Sequence, residues 1–139
     1  MTERAVICAL DVSFFTFRAY HALPPLNTSA GLPTNAIHGV ANMLEKLFRL
    51  HKPSHAAAAF DMPGPTFRNE IYPAYKANRQ EPDAELQAQF PYVRRLIEAT
   101  SIRSFGDPRY EADDILATLA KRLGAAGHDV VLVTGDKDL

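Results

Sequence analysis

Three short runs of apolar residues are continuous rather than alternating, the pattern of strands buried on both faces in a parallel sheet. They are Ala5–Leu10, Ala56–Phe60 and Val130–Val133; Ser101–Phe105 is a weaker fourth, interrupted by polar residues. Between them apolar residues recur at helical spacing. Ile37, Val40, Met43, Leu44, Leu47 and Leu50 form one stripe, and Leu86, Phe90, Val93, Leu96 and Ile97 form another. A third helix is predicted from Glu111 to about Leu123, with Ile115, Leu116 and Leu119 inward and Gly124 and Gly127 as stop signals. Strands alternating with helices mean βαβ units. The predicted fold class is therefore α/β: three layers, with a mostly parallel central sheet and helices on both faces.

At 139 residues, 47% hydrophobic and 22% charged, the chain has material for one domain with a real core. A formal net charge of −1 excludes a uniformly basic nucleic-acid coat, though not a local basic patch. The single cysteine, Cys8, excludes an internal disulfide framework and a cysteine-rich zinc site, and is read as core. No apolar run approaches the roughly 18 residues of a membrane span, so no membrane partner is expected. Two stretches break the strand–helix rhythm: Leu23–Thr34, rich in Pro and Gly, and Met62–Pro82, with four prolines and many polar residues. A loop as long as the second is usually functional or disordered. The chain stops at Leu139, before the helix that would cover its last strand, which reads as a cut through a larger domain.

Every apolar run hands over to acid. The first ends in Asp11 and the second in Asp61; the weak strand leads to Glu111, Asp113 and Asp114, and the last leads to Asp136 and Asp138. In an open parallel sheet the C-terminal strand ends share one edge, where ligands bind. Carboxylates gathered there repel, so some must take a proton or find a cation. Oxygen ligands with no His or Cys among them favour Mg²⁺ or Mn²⁺ over zinc. Two such ions about 3.5–4 Å apart are suited to hydrolysing a phosphodiester. Each acid alone also has a plainer reading. Asp11 can cap a helix, Asp61 can sit in a turn, and Glu111, Asp113, Asp114, Asp136 and Asp138 can complement helix dipoles.

The irregular stretch after Asp61 carries Phe67, Arg68, Tyr72, Tyr75, Lys76, Asn78 and Arg79. Arg68, Lys76 and Arg79 suit phosphate oxygens, and Tyr72 and Tyr75 suit stacking on unpaired bases. A solvated loop whose tyrosines pack on the sheet is the equal alternative. His21 and His38 are read as helix or loop residues before substrate contacts, and His51, His55 and His128 as surface positions.

At these residues the chain resembles the 5′ nuclease (5′-3′ exonuclease) domain of bacterial DNA polymerase I, in the flap endonuclease branch of PIN-like nucleases. The similarity is carried by Phe17–Leu44, Ala58–Arg79, Tyr110–Ala120 and Val133–Leu139, in order and at family-like spacing. The resemblance implies the N-terminal part of a PIN-like domain, with residues 62–82 as a basic gateway insertion. It implies a divalent-metal 5′-3′ exonuclease and flap endonuclease acting on DNA with 5′ ends or flaps. Asp11, Asp61, Glu111 and Asp113 match acids around a first Mg²⁺ or Mn²⁺; Asp114, Asp136 and Asp138 match acids that serve a second. Arg68, Tyr75, Lys76 and Arg79 match residues of the gateway that embraces the 5′ strand, with Lys76 and Arg79 steering the scissile phosphate. A cytoplasmic, nucleoid-associated bacterial protein follows, with a polymerase domain in the parent chain left open.

The chain departs from the family pattern in three places. Val12 stands where glycine usually follows the first aspartate, with Phe14 two residues later. Arg109 stands where glycine usually precedes the Tyr-Glu-Ala-Asp-Asp run. The region after Leu139, which in the family holds two further metal-binding aspartates and a helix-three-turn-helix that grips duplex DNA, is absent. Two alternatives remain: a branched-DNA-binding module without cleavage, and a PIN-type ribonuclease. An aspartyl-phosphate phosphohydrolase is disfavoured, because Ser13 occupies the place of its second acid.

Overall fold

The computed structural model describes residues 5–62, 71–72 and 83–135. The elements run β1 (Val6–Asp11), α1 (Val12–Ala22), α2 (Asn35–His51), β2 (His55–Ala59), α3 (Ala84–Gln87), α4 (Phe90–Ala99), β3 (Arg103–Phe105), α5 (Ala112–Ala125) and β4 (Asp129–Val133). The four strands form one sheet in the order β3-β2-β1-β4, and every pairing is parallel. All four predicted strands are present, each within two residues of its expected limits.

The strand order explains the layers. From β1 the chain steps to β2 and then β3 in one direction, then returns past β1 to place β4 on its other side. Right-handed crossovers in opposite directions put their helices on opposite faces. On one face Cys8, Leu10 and Ala58 pack with Val40 and Leu44 of α2 and Val93 and Ile97 of α4. On the other, Ala9 and Ala59 pack with Ala112 and Leu116 of α5. Alternate strand residues thus serve different cores, as the pleat requires. β2 is almost all alanine, a poor strand former alone; its position between β1 and β3, under helices on both sides, holds it extended.

Three sequence expectations need adjustment. α1 has no clean apolar stripe, being rich in aromatic and β-branched residues, so the sequence pattern predicts no helix there. Leu50 is 69% exposed rather than inward. A 17-residue helix is about 25 Å long, whereas a strand of five or six spans roughly 17–20 Å, so the last turn of α2 overhangs the sheet. Gly124 lies inside α5, and the stop is Gly127, whose φ of +92° suits glycine. The expected loop over Leu23–Thr34 is a loop, pinned by the Asn27–Pro33 bridge and turned at Gly31. Among the described residues no helix is long and apolar enough to cross a membrane.

The second predicted stripe is two helices, α3 and α4, separated at Ala88–Gln89. Gln89 is fully buried, and its amide oxygen accepts from the N–H groups of Ala36 (2.8 Å) and Ile37 (3.2 Å). Thr34, the N-cap of α2, makes no side-chain cap bond, so a residue 53 positions away in sequence does that work. The Gln89 amide nitrogen donates to Asn35 Oδ1 (2.9 Å) and the Glu85 carbonyl (3.2 Å). Asn35 in turn donates to the carbonyls of Tyr20 (3.0 Å) and Leu23 (3.3 Å), tying the end of α1 to the start of α2. α1 and α2 also approach closely at Gly39, where a Cβ would lie 2.5 Å from Ala19 Cβ. Gln89→Leu keeps the bulk but takes the acceptor from the Ile37 N–H and one donor from Asn35 Oδ1, so it is expected to cost about 1–3 kcal/mol in denaturant unfolding. An unchanged midpoint would show that the network contributes nothing.

Candidate active site

In a parallel sheet all strands end on one side, and the crevice forms where strand order reverses, here between β1 and β4. β1 ends there in Asp11, β2 runs out to Asp61, and β4 runs out to Thr134 and Gly135. The turn after β3 delivers the start of α5, with Glu111 at its N-cap and Asp113 and Asp114 in its first turn.

Asp11 is buried and caps α1, accepting from the Phe14 N–H at 3.1 Å. Its side chain also hydrogen-bonds with Asp113 and Thr134. Burial raises its carboxyl above the ordinary value of 3.8, and the charge of Asp61 pushes the same way; the bonds from Phe14, Asp113 and Thr134 oppose both. A hydrogen bond between two carboxyl groups requires a proton on one of them. The β1 end is therefore a place where negative charge is costly.

Asp61 is held from both sides. Its Oδ1 accepts from the Ala112 N–H at 2.7 Å, capping α5 from 51 residues away, and its own N–H donates to Ser13 Oγ at 3.0 Å. Glu111 and Asp114 form a capping box, with the Glu111 N–H donating to Asp114 Oδ2 at 3.0 Å. The plain cap reading thus holds for Asp11 and for Glu111 with Asp114. Asp61 is more than a turn residue, because it joins β2 to α5.

Asp11, Asp61 and Asp113, contributed by three separate segments, are brought together. The carboxylate of Asp114 is turned onto its own helix terminus. Asp136, Asp138, Arg68, Tyr75, Lys76 and Arg79 lie outside the described residues, with most of the 62–82 insertion. Tyr72 is described and is 63% exposed. Among the described residues no group of three His, Cys, Asp or Glu side chains is arranged to hold a metal ion; the oxygens of the site are engaged by N–H groups and by each other. The donors are nonetheless all oxygen, which fits a hard cation such as Mg²⁺ or Mn²⁺. His21 stacks edge-on with Phe17, and His38 meets Asn42; both are helix-surface contacts.

The departures from the family pattern also find places. Val12 is fully buried in the core, so its Cβ does not line the edge. Arg109 contacts Asp107 through Nε and Nη2, both at 3.3 Å, and lies over the Tyr110 ring, so it is engaged within its own turn. Sequence reading missed Ser13 and Thr134 as supports of the acids. The signal available was a small polar residue two places after one strand-end acid and one directly after the last strand.

Comparison with known proteins places this geometry in a family. The family model described as "5′-3′ exonuclease, N-terminal resolvase-like domain" matches residues 6–139. DNA polymerase I of Bacillus subtilis is 41% identical over 139 residues, covering all of this chain and 16% of that protein. DNA polymerase I of Rhizobium leguminosarum is 45% identical over 138 residues, covering 94% of this chain and 14% of that protein. The chain thus spans about a sixth of the length of these relatives. Among solved structures, T5 5′-exonuclease with bound divalent metal ions (zinc) superposes with a TM-score of 0.72 at 24% identity, over 96% of this chain and 50% of that one. A bacteriophage T5 flap endonuclease complex with DNA and metal ions gives 0.70 at 23% identity, over 95% and 49%. These likenesses establish the shared fold.

The raised Asp11 carboxyl has a consequence for stability. In chelator, the folded state holds the Asp11 proton more tightly than the unfolded chain, so stability is lost as pH rises through the folded value. Asp11→Asn keeps an N-cap and removes the charge. It is expected to match the original thermal midpoint below about pH 4 and to exceed it at neutral pH. A difference independent of pH would contradict the assigned cause.

Proposed function

The chain belongs to the 5′-3′ exonuclease family, as its N-terminal resolvase-like domain, and from that premise we propose that it forms the acidic half of a divalent-metal-dependent 5′ nuclease that hydrolyses DNA phosphodiesters at 5′ ends and flaps. The observation that carries the reading is the meeting of Asp11, Asp61 and Asp113 at the β1 end, where the charge of one raises the carboxyl of another. Such a cluster is costly for a module that only binds DNA and useful for one that recruits a cation.

Asp11, Asp61, Glu111 and Asp113 are the residues that would hold a first Mg²⁺ or Mn²⁺, with Asp114, Asp136 and Asp138 serving a second. The chemistry such ions supply when bound is polarisation of the phosphodiester, activation of water and stabilisation of the leaving oxygen. The chain's own residues do the rest. Ser13 and the Ala112 N–H fix Asp61, and Thr134 and the Phe14 N–H fix Asp11, so both carboxylates are pre-positioned. Arg68, Lys76 and Arg79 draw phosphates towards the edge, with Lys76 and Arg79 steering the scissile one. Tyr72 and Tyr75 stack on unpaired bases of the 5′ strand. DNA is the partner, in a bacterial cytoplasm, within a parent chain that carries a polymerase domain as the relatives' name implies.

Cleavage of a 5′-labelled flap duplex by this chain in Mg²⁺, against chelator, tests the proposal. Asp61→Asn can keep the acceptor for Ala112 while removing the charge. It is expected to reduce Mg²⁺-dependent cleavage by roughly a hundredfold or more, at the upper end of what loss of a mere supporting bond costs. Flap binding without cleavage in any metal would favour the binding-module alternative. Preference for an RNA strand would favour the ribonuclease.

A further inference from the structure

Phe14 stands in the first turn of α1 and touches both sides of the β1–β4 crevice. Its backbone N–H holds the Asp11 carboxylate. Its ring lies over Gly135, just beyond β4: a Cβ placed on Gly135 would collide with Cζ, Cε1 and Cε2 of the ring. Gly135 has no left-handed φ, unlike Gly31 and Gly127, so backbone conformation does not demand glycine there. Space for the ring does. Phe15 meets the Phe14 ring edge-on at 5.3 Å and 82°. The register that pairs Leu10 with Val133 brings Asp11 and Thr134 to the same level, and their side chains bond.

We propose that Phe14 is a positioning residue of the acid edge, its ring seated on Gly135 so that the end of β4 is held at a fixed distance from Asp11. The role rests on the reading of this edge as an ion-binding centre. A bulky ring on one strand end and a bare backbone on the next make a complementary pair, and they lock the crevice at the point where strand order reverses. Asp11 is thereby served twice by one residue, through the N–H that holds its carboxylate and through the ring that keeps the Thr134 hydroxyl in reach.

The test uses the unsubstituted chain, Phe14→Ala, Gly135→Ala and the double variant. Mn²⁺ affinity is read from the signal of free ion, with the unfolding midpoint measured in chelator. Each single substitution is expected to weaken Mn²⁺ binding about tenfold, in the range of supporting residues around a metal. Gly135→Ala made on Phe14→Ala should cost less than about twofold more, because the collision is gone. Multiplicative losses, or midpoints that move while Mn²⁺ affinity stays constant, would overturn the positioning role. A second readout needs no ion. The Gly135 α protons should be shifted upfield by the ring in the NMR spectrum, and the shift should vanish in Phe14→Ala; unshifted protons would overturn the contact itself. Failure of the unsubstituted chain to bind Mn²⁺ would refute the ion-centre reading, and the positioning role with it, even where the ring shift persists.

Discussion

Everything at the acid edge depends on β1 being hydrogen-bonded in parallel on both sides. Its register pairs Asp11 with Ala59 on one flank and Leu10 with Val133 on the other, so three strand ends finish at one level. The reversal of strand order around β1 then sends α2 and α4 to one face and α5 to the other. That arrangement leaves α1 to start from the end of β1, and α5 to start beside the end of β2. Two helix N-termini, each favourable to negative charge, therefore face the same crevice.

The acids serve stability, and in the function proposed above the same side chains serve chemistry. Asp11 caps α1, Asp61 caps α5 from 51 residues away, and Glu111 and Asp114 cap one another. Those N–H bonds partly offset the cost of crowding negative charge, while burial keeps Asp11 a reluctant anion. The balance leaves a site organised by the fold in which, among the described residues, the carboxylates are met by N–H groups and by each other. In the reading proposed above, a divalent cation relieves that crowding.

Much of this was legible in the sequence. Three continuous apolar runs and one interrupted run located the four strands, and the acids stood out because every run led to at least one of them. The rest depended on contacts between distant residues, which no local pattern carries. Gln89 reads as one polar position in a helical stripe, yet it breaks that stripe and caps α2 from 53 residues away. α1 escaped notice because aromatic residues on several sides blur its periodicity. Ser13 and Thr134 are small polar residues whose value appears only when β1, β2 and β4 are side by side. Phe14 was visible as a departure from the family pattern, but its match to Gly135 needed the third dimension.

The central claim is that the carboxylates crowded at the strand ends form a cation site. Thermal unfolding of the chain in chelator and in Mg²⁺ or Mn²⁺ tests it most directly, with Asp113→Asn as the comparison. A ligand that binds the folded state raises its midpoint with concentration. The account predicts a concentration-dependent rise for the unsubstituted chain and a markedly smaller one for Asp113→Asn. Equal rises in both, or none in either, would contradict it.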